Sequence, residues 1–79
     1  MQITVLLFAS YAEVIGAPSV AVTLRGSATV EDVLRAVRAL VPEARLPPAL
    51  VAVNQEYATP TQAIVEGDEV AIIPPVAGG

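Results

Sequence analysis

One segment of this chain, and only one, reads as a sustained amphipathic helix. Val30, Val33, Leu34, Val37, Leu40 and Val41 recur at helical spacing and form a single apolar stripe. A helix with one apolar side must bury it, and the chain offers no second long helix as a partner. A β-sheet has to supply the complementary surface. The helix limits are chemically marked. The Thr29 hydroxyl is placed to cap the first turn, and Glu31 and Asp32 put negative charge where the helix dipole favours it. Glu31 precedes Arg35 by four residues, Arg38 lies on the same wet side, and Pro42 stops the helix.

The flanking segments read as short strands. Residues 2–8 are rich in apolar and β-branched side chains, with Ile3, Val5 and Leu7 on one face and Thr4, Leu6 and Phe8 on the other. A helical turn follows over 10–15, with Ser10 as its expected N-cap and Gly16 as its end. Residues 19–24 alternate, turning Val20, Val22 and Leu24 inward. After the helix, Pro47-Pro48 closes a loop before residues 50–54, expected to be a strand buried on both sides. Asn54-Gln55-Glu56 turns into a brief extended piece around Tyr57, and Gly67-Asp68 makes a tight turn into a last strand over 69–73. Pro74 has no N–H for a ladder and ends it.

Strand, strand, helix and three short strands imply an α+β fold in which a mixed sheet packs on one main helix. The first and last strands are expected to lie parallel and adjacent at its centre, the arrangement called the β-grasp. Residues 1–79 then make one domain, a body of 73 or so residues with 74–79 as a protruding, flexible tail. With Ile3, Val5, Leu7, Val70 and Ile72 facing the helix, Leu6, Phe8 and Ile73 remain on the open side of the sheet. A bulky apolar patch beside the root of a tail points to a docking surface.

Composition removes several function classes. The chain has no Cys and no His, so thiolate chemistry and the commonest general base and metal ligand are absent. No calcium-loop spacing or glycine-rich phosphate loop appears, so no bound metal or cofactor is expected and a self-sufficient enzyme is disfavoured. The net charge is −4, with four arginines, no lysine and no basic cluster, which argues against nucleic acid and anionic membrane. No apolar run is long enough for a membrane span, and Met1-Gln2 leads straight into a β-patterned segment, so no leader is expected.

What remains is the end of the sequence, Pro74-Pro75-Val76-Ala77-Gly78-Gly79. Two glycines can thread a channel too narrow for any residue with a Cβ. The Gly79 carboxylate is unhindered, and the two prolines fix φ so that less freedom is lost on insertion. From Pro74 onward the extended chain reaches roughly 20 Å.

Val53-Asn54-Gln55, then Gly67-Asp68-Glu69-Val70-Ala71, then the Pro-Pro-Val-Ala-Gly-Gly end together resemble the small subunit of molybdopterin synthase, the ubiquitin-like sulfur carriers often called MoaD. The likeness spans essentially the whole chain. It implies that an E1-like adenylating enzyme of the MoeB type uses ATP and magnesium to adenylate Gly79, and that sulfur from a donor protein replaces AMP to give a thiocarboxylate. The tail then enters the MoaE-type large subunit, in a heterotetramer, and sulfur passes to cyclic pyranopterin monophosphate in the cytoplasm. The resemblance assigns docking to Phe8, Tyr57 and Ile73, and the path to the channel to Pro74, Pro75, Val76, Ala77 and Gly78. Ile73 stands where many relatives carry an aromatic, and Ala77 replaces a common Thr. Two other roles use the same tail: sulfur delivery in the thiamine pathway, and conjugation to target lysines as a ubiquitin-like modifier.

Overall fold

The computed structural model describes residues 1–75. Seven strands and two helices follow one another as β1 (Gln2–Leu7), α1 (Ala9–Ile15), β2 (Ser19–Thr23), β3 (Ala28–Thr29), α2 (Val30–Ala39), β4 (Leu50–Val53), β5 (Glu56–Ala58), β6 (Ala63–Ile64) and β7 (Val70–Ile73). The main sheet has the order β2-β1-β7-β4-β5. β1 and β7 run parallel at its centre, with Val5, Leu6 and Leu7 opposite Val70, Ala71 and Ile72. All other pairs in the sheet are antiparallel. This is the β-grasp, and the expected central pair is present.

α2 lies across one face of that sheet. Its stripe buries Val30, Val33 and Val37 against Ile3, Val5, Leu7, Val22, Val51, Val53, Val70 and Ile72. The start of α2 is held twice. Thr29 and Asp32 form a reciprocal capping box, in which the Thr29 N–H donates to Asp32 Oδ2 at 2.9 Å and the Asp32 N–H to Thr29 Oγ1 at 3.4 Å. Two further amides of the first turn, Val30 and Glu31, donate to the carbonyls of Gln62 and Pro60, each at 3.0 Å. Those bonds tie the helix start to the segment before β6. A second, two-stranded sheet of β3 with β6 closes the same corner, an element without a counterpart among the sequence expectations.

Four local expectations are corrected. Ser10 does not cap α1: the helix begins at Ala9, and Phe8, in extended conformation, occupies the cap position with no side-chain hydrogen bond. Leu40 does not join the buried stripe, because α2 ends at Ala39 and Leu40 is its half-exposed C-cap. Leu50 is 56% exposed, so burial on both sides holds for Val51, Ala52 and Val53 but not for the first residue of β4. Pro74 is buried, which carries the body one residue past β7 and leaves Pro75 as the first exposed residue of the neck.

Among the described residues, no helix is long and apolar enough to cross a membrane. No group of acidic, His or Cys side chains there is arranged to hold a metal ion.

Candidate docking face and neck

Strand pairing places a continuous row of small and apolar residues on the sheet face that α2 does not cover. Leu6 is opposite Ala71, Ala71 opposite Ala52, and Ala52 opposite Tyr57, so the row crosses four strands. A strand puts alternate residues on one face. The next row on this side therefore brings Ile73, paired with Leu50, beside Phe8 at the exit of β1. Leu6, Phe8, Tyr57 and Ile73 share a concavity of about 300 Å³ with Ala52, Ala71, Gln55 and Glu69.

Exposure separates this face from the core beneath it. Phe8 is 47% and Tyr57 71% exposed, whereas Leu7, the residue before Phe8, and Ile72, the residue before Ile73, are buried. Tyr57 is thus a surface residue. The three side chains named from sequence for docking line one concavity, and Ile73 leads directly into Pro74 and Pro75. Leu50, opposite Ile73, is an exposed apolar neighbour that sequence reasoning assigned to the interior. Its signal was its position just after the Pro47-Pro48 loop, at the open end of a strand.

Two devices shape the face. At the end of β1 the chain turns sharply through Ala9, whose φ of 50° is left-handed. Phe8 stays on the outer side while Tyr11 enters the core. Fully buried, Tyr11 donates its hydroxyl hydrogen to the Pro47 carbonyl at 2.6 Å and accepts from Arg38 Nη2 at 3.3 Å. That contact ties α1 to the loop preceding β4, and sequence reasoning missed it. The apolar i,i+4 pair of Tyr11 and Ile15 was the available clue.

At the opposite end of the sheet, Asn54 bridges two turns. Its Nδ2 donates to Asp68 Oδ1 at 3.0 Å, and its Oδ1 accepts from the Glu69 N–H at 3.0 Å. Backbone bonding continues the link, with the Asn54 N–H donating to the Glu69 carbonyl at 2.8 Å. Asp68 Oδ2 accepts from the Val65 N–H at 2.8 Å and closes its own turn around Gly67. The Val65 N–H and then the Asn54 amide hold the Asp68 carboxyl below the usual carboxylate range. Asn54, Asp68 and the Glu69 backbone, drawn from the Val-Asn-Gln and Gly-Asp-Glu signatures, are therefore structural ties between the β4–β5 turn and the entry to β7. They are not reactive groups.

Val76, Ala77, Gly78 and Gly79 lie outside the described residues. The site they were expected to form is represented by its root alone: an apolar sheet face, a buried Pro74 and an exposed Pro75.

These features define a ubiquitin-like β-grasp domain that presents a bare apolar sheet face at the base of its carboxyl-terminal segment. The ThiS family model matches residues 5–79, and the chain belongs to that family. It is 42% identical over 83 aligned residues to the molybdopterin synthase sulfur carrier subunit of Chlamydomonas reinhardtii, with both chains covered in full. It is 41% identical to the protein of the same name from Dictyostelium discoideum, covering 99% of this chain and 96% of that one. Among solved structures, SAMP1 from Haloferax volcanii superimposes with a TM-score of 0.86 at 37% identity, each chain covered completely.

Proposed function

We propose that this chain is a sulfur carrier in molybdenum cofactor biosynthesis, acting as the small subunit of a molybdopterin synthase. The observation that carries the reading is the full-length identity to two proteins bearing that name. Support comes from the apolar face that ends where the neck begins. A carrier must be held by its body while its end reaches a partner's active site.

In this reading, the Gly79 carboxylate attacks the α-phosphorus of ATP within an E1-like adenylating enzyme. Pyrophosphate leaves and an acyl-adenylate forms. Persulfide sulfur from a donor protein then replaces AMP, leaving a thiocarboxylate once a reductant has cleaved the S–S bond. A free carboxylate is a poor electrophile, and adenylation supplies the leaving group it lacks. The thiocarboxylate is a soft nucleophile needing no cysteine from this chain. Phe8, Tyr57 and Ile73 hold the partner, Pro74 and Pro75 aim the tail, and Val76 to Gly79 enter the large subunit, where sulfur passes to cyclic pyranopterin monophosphate. The carrier works in the cytoplasm, with ATP and magnesium belonging to the activating enzyme.

The test is reconstitution with a molybdopterin synthase large subunit and the pyranopterin precursor. The thiocarboxylated chain is expected to yield molybdopterin, and its failure to do so would reject the reading.

A second reading, conjugation as a protein modifier, is favoured by the likeness to a Haloferax volcanii protein described as small archaeal modifier protein 1, at 36% identity over 95% of this chain. Adducts of higher mass in native cells, lost on deleting Gly79, would support it.

A further inference from the structure

The docking face is not electrically neutral, and its charge is lopsided. Glu69 lines the apolar concavity together with Leu6, Tyr57 and Ile73, and no basic side chain does. The adjoining depression of Gln2, Thr4, Leu6, Asp68 and Glu69 likewise has a carboxylate border and no cation. Arg25, Arg35 and Arg38 instead line grooves along α2, on the covered side of the sheet. The carboxylates differ in how free they are. Glu31 and Asp32 pair with Arg35 at 3.6 and 3.5 Å, and Asp68 is occupied by Asn54 and Val65. Among the described residues, the Glu69 carboxylate has no ion pair or hydrogen bond; the same holds for Glu13, Glu43, Glu56 and Glu66, but of these five Glu69 alone lines the concavity, and its backbone N–H and carbonyl are both fixed by Asn54. It is a rigidly mounted charge with its head group unspent.

Resting on the reading of this face as the docking surface, we propose that Glu69 is a specificity-determining anchor. It pairs with an arginine or lysine on the partner protein, beside an apolar patch that covers Phe8, Tyr57 and Ile73. Glu69 and Ile73 are four residues apart, about 13 Å along an extended strand. The partner's cation must therefore lie about that far from the part of its surface that covers Ile73 at the root of the neck. Apolar burial supplies the holding force, and the charge fixes which way round the carrier sits, so that the tail meets the channel and not the opposite edge.

The experiment measures association of the full chain with a purified molybdopterin synthase large subunit at low and high salt. Glu69→Gln is expected to slow association about threefold to tenfold at low salt, and Glu69→Arg further, the differences closing near 1 M salt, where the screening length is about 3 Å. Glu31→Gln removes the same charge from the helix side and is expected to leave the rate within about twofold. Unchanged thermal melting of Glu69→Gln shows that the fold is retained, since only the side chain is altered. If Phe8→Ala weakens binding while Glu69→Gln behaves like Glu31→Gln, the anchor is overturned and the docking face stands. If Phe8→Ala has no effect, or the unaltered chain does not bind, both fail. A dimer of this chain that dissociates on Glu69→Gln would make a second copy the occupant and overturn the proposal.

Discussion

The Asn54 side chain donates to Asp68 and accepts from the Glu69 N–H, both at 3.0 Å, locking the β4–β5 turn to the entry of β7. Asn54→Ala and Asp68→Asn are each expected to lower the melting temperature at neutral pH. The pH dependence has a definite sign. The folded Asp68 carboxyl is held below its ordinary value, so its stabilisation is present in full above the ordinary range, near pH 4, and is lost as pH falls through the depressed value. Asp68→Asn should therefore flatten part of the acid limb of a stability-versus-pH curve. An unchanged acid limb would contradict a stabilising role for the Asp68 carboxylate.

Gln55 carries a left-handed φ of 71° beside Asn54 at 53°, the geometry of a two-residue hairpin turn in which glycine is favoured at the second position. Gln55→Gly is expected to stabilise the fold by about 1 kcal/mol, because the left-handed conformation costs that much for a residue with a Cβ. Denaturant unfolding checks it, and a loss of stability would contradict the strain.

Tyr11→Phe removes a hydrogen bond of 2.6 Å to the Pro47 carbonyl while keeping the buried ring. A loss of about 1 kcal/mol is expected, the usual net worth of such a bond. A larger loss, shared with Arg38→Ala in a double-mutant cycle, would assign part of it to the Arg38 contact at 3.3 Å.

Phe8 and Ile72 separate binding from folding. Ile72 is fully buried between β1 and β4, and Ile72→Ala is expected to cost about 2–5 kcal/mol of stability. Phe8 is half-exposed, and Phe8→Ala should cost about 1 kcal/mol or less in folding while weakening partner affinity about tenfold or more. Equal losses in the two assays would place Phe8 in the core.

Much of the fold is legible in the residues because the signals are physical and local. The helical stripe and the Thr29 cap place α2, and alternation in residues 2–8 and 19–24 places the first two strands. The same alternation puts Leu6, Phe8 and Ile73 on one face. The misses have equally specific causes. β3 and β6 are two residues each, too short to show a period, and they exist because the bonds from Val30 and Glu31 bring the chain together there. Ser10 is a good cap in isolation, but the left-handed turn at Ala9 starts the helix earlier. Leu50 sits in an apolar run that hides its place at the strand's exposed end. Asn54 and Asp68 stand in separate signature segments, and their partnership depends on the register of β4 against β7.

If Gly79 is the reactive end and the folded body presents it, the chemistry should register directly in the mass of the chain. The most direct measurement is its intact mass after incubation with an E1-like adenylating enzyme, ATP, magnesium and a sulfur donor. The account predicts the gain produced when one oxygen is replaced by sulfur, with no gain in a chain whose Gly79 is capped as an amide. An unchanged mass for the free chain, or an equal gain in the capped one, would contradict it.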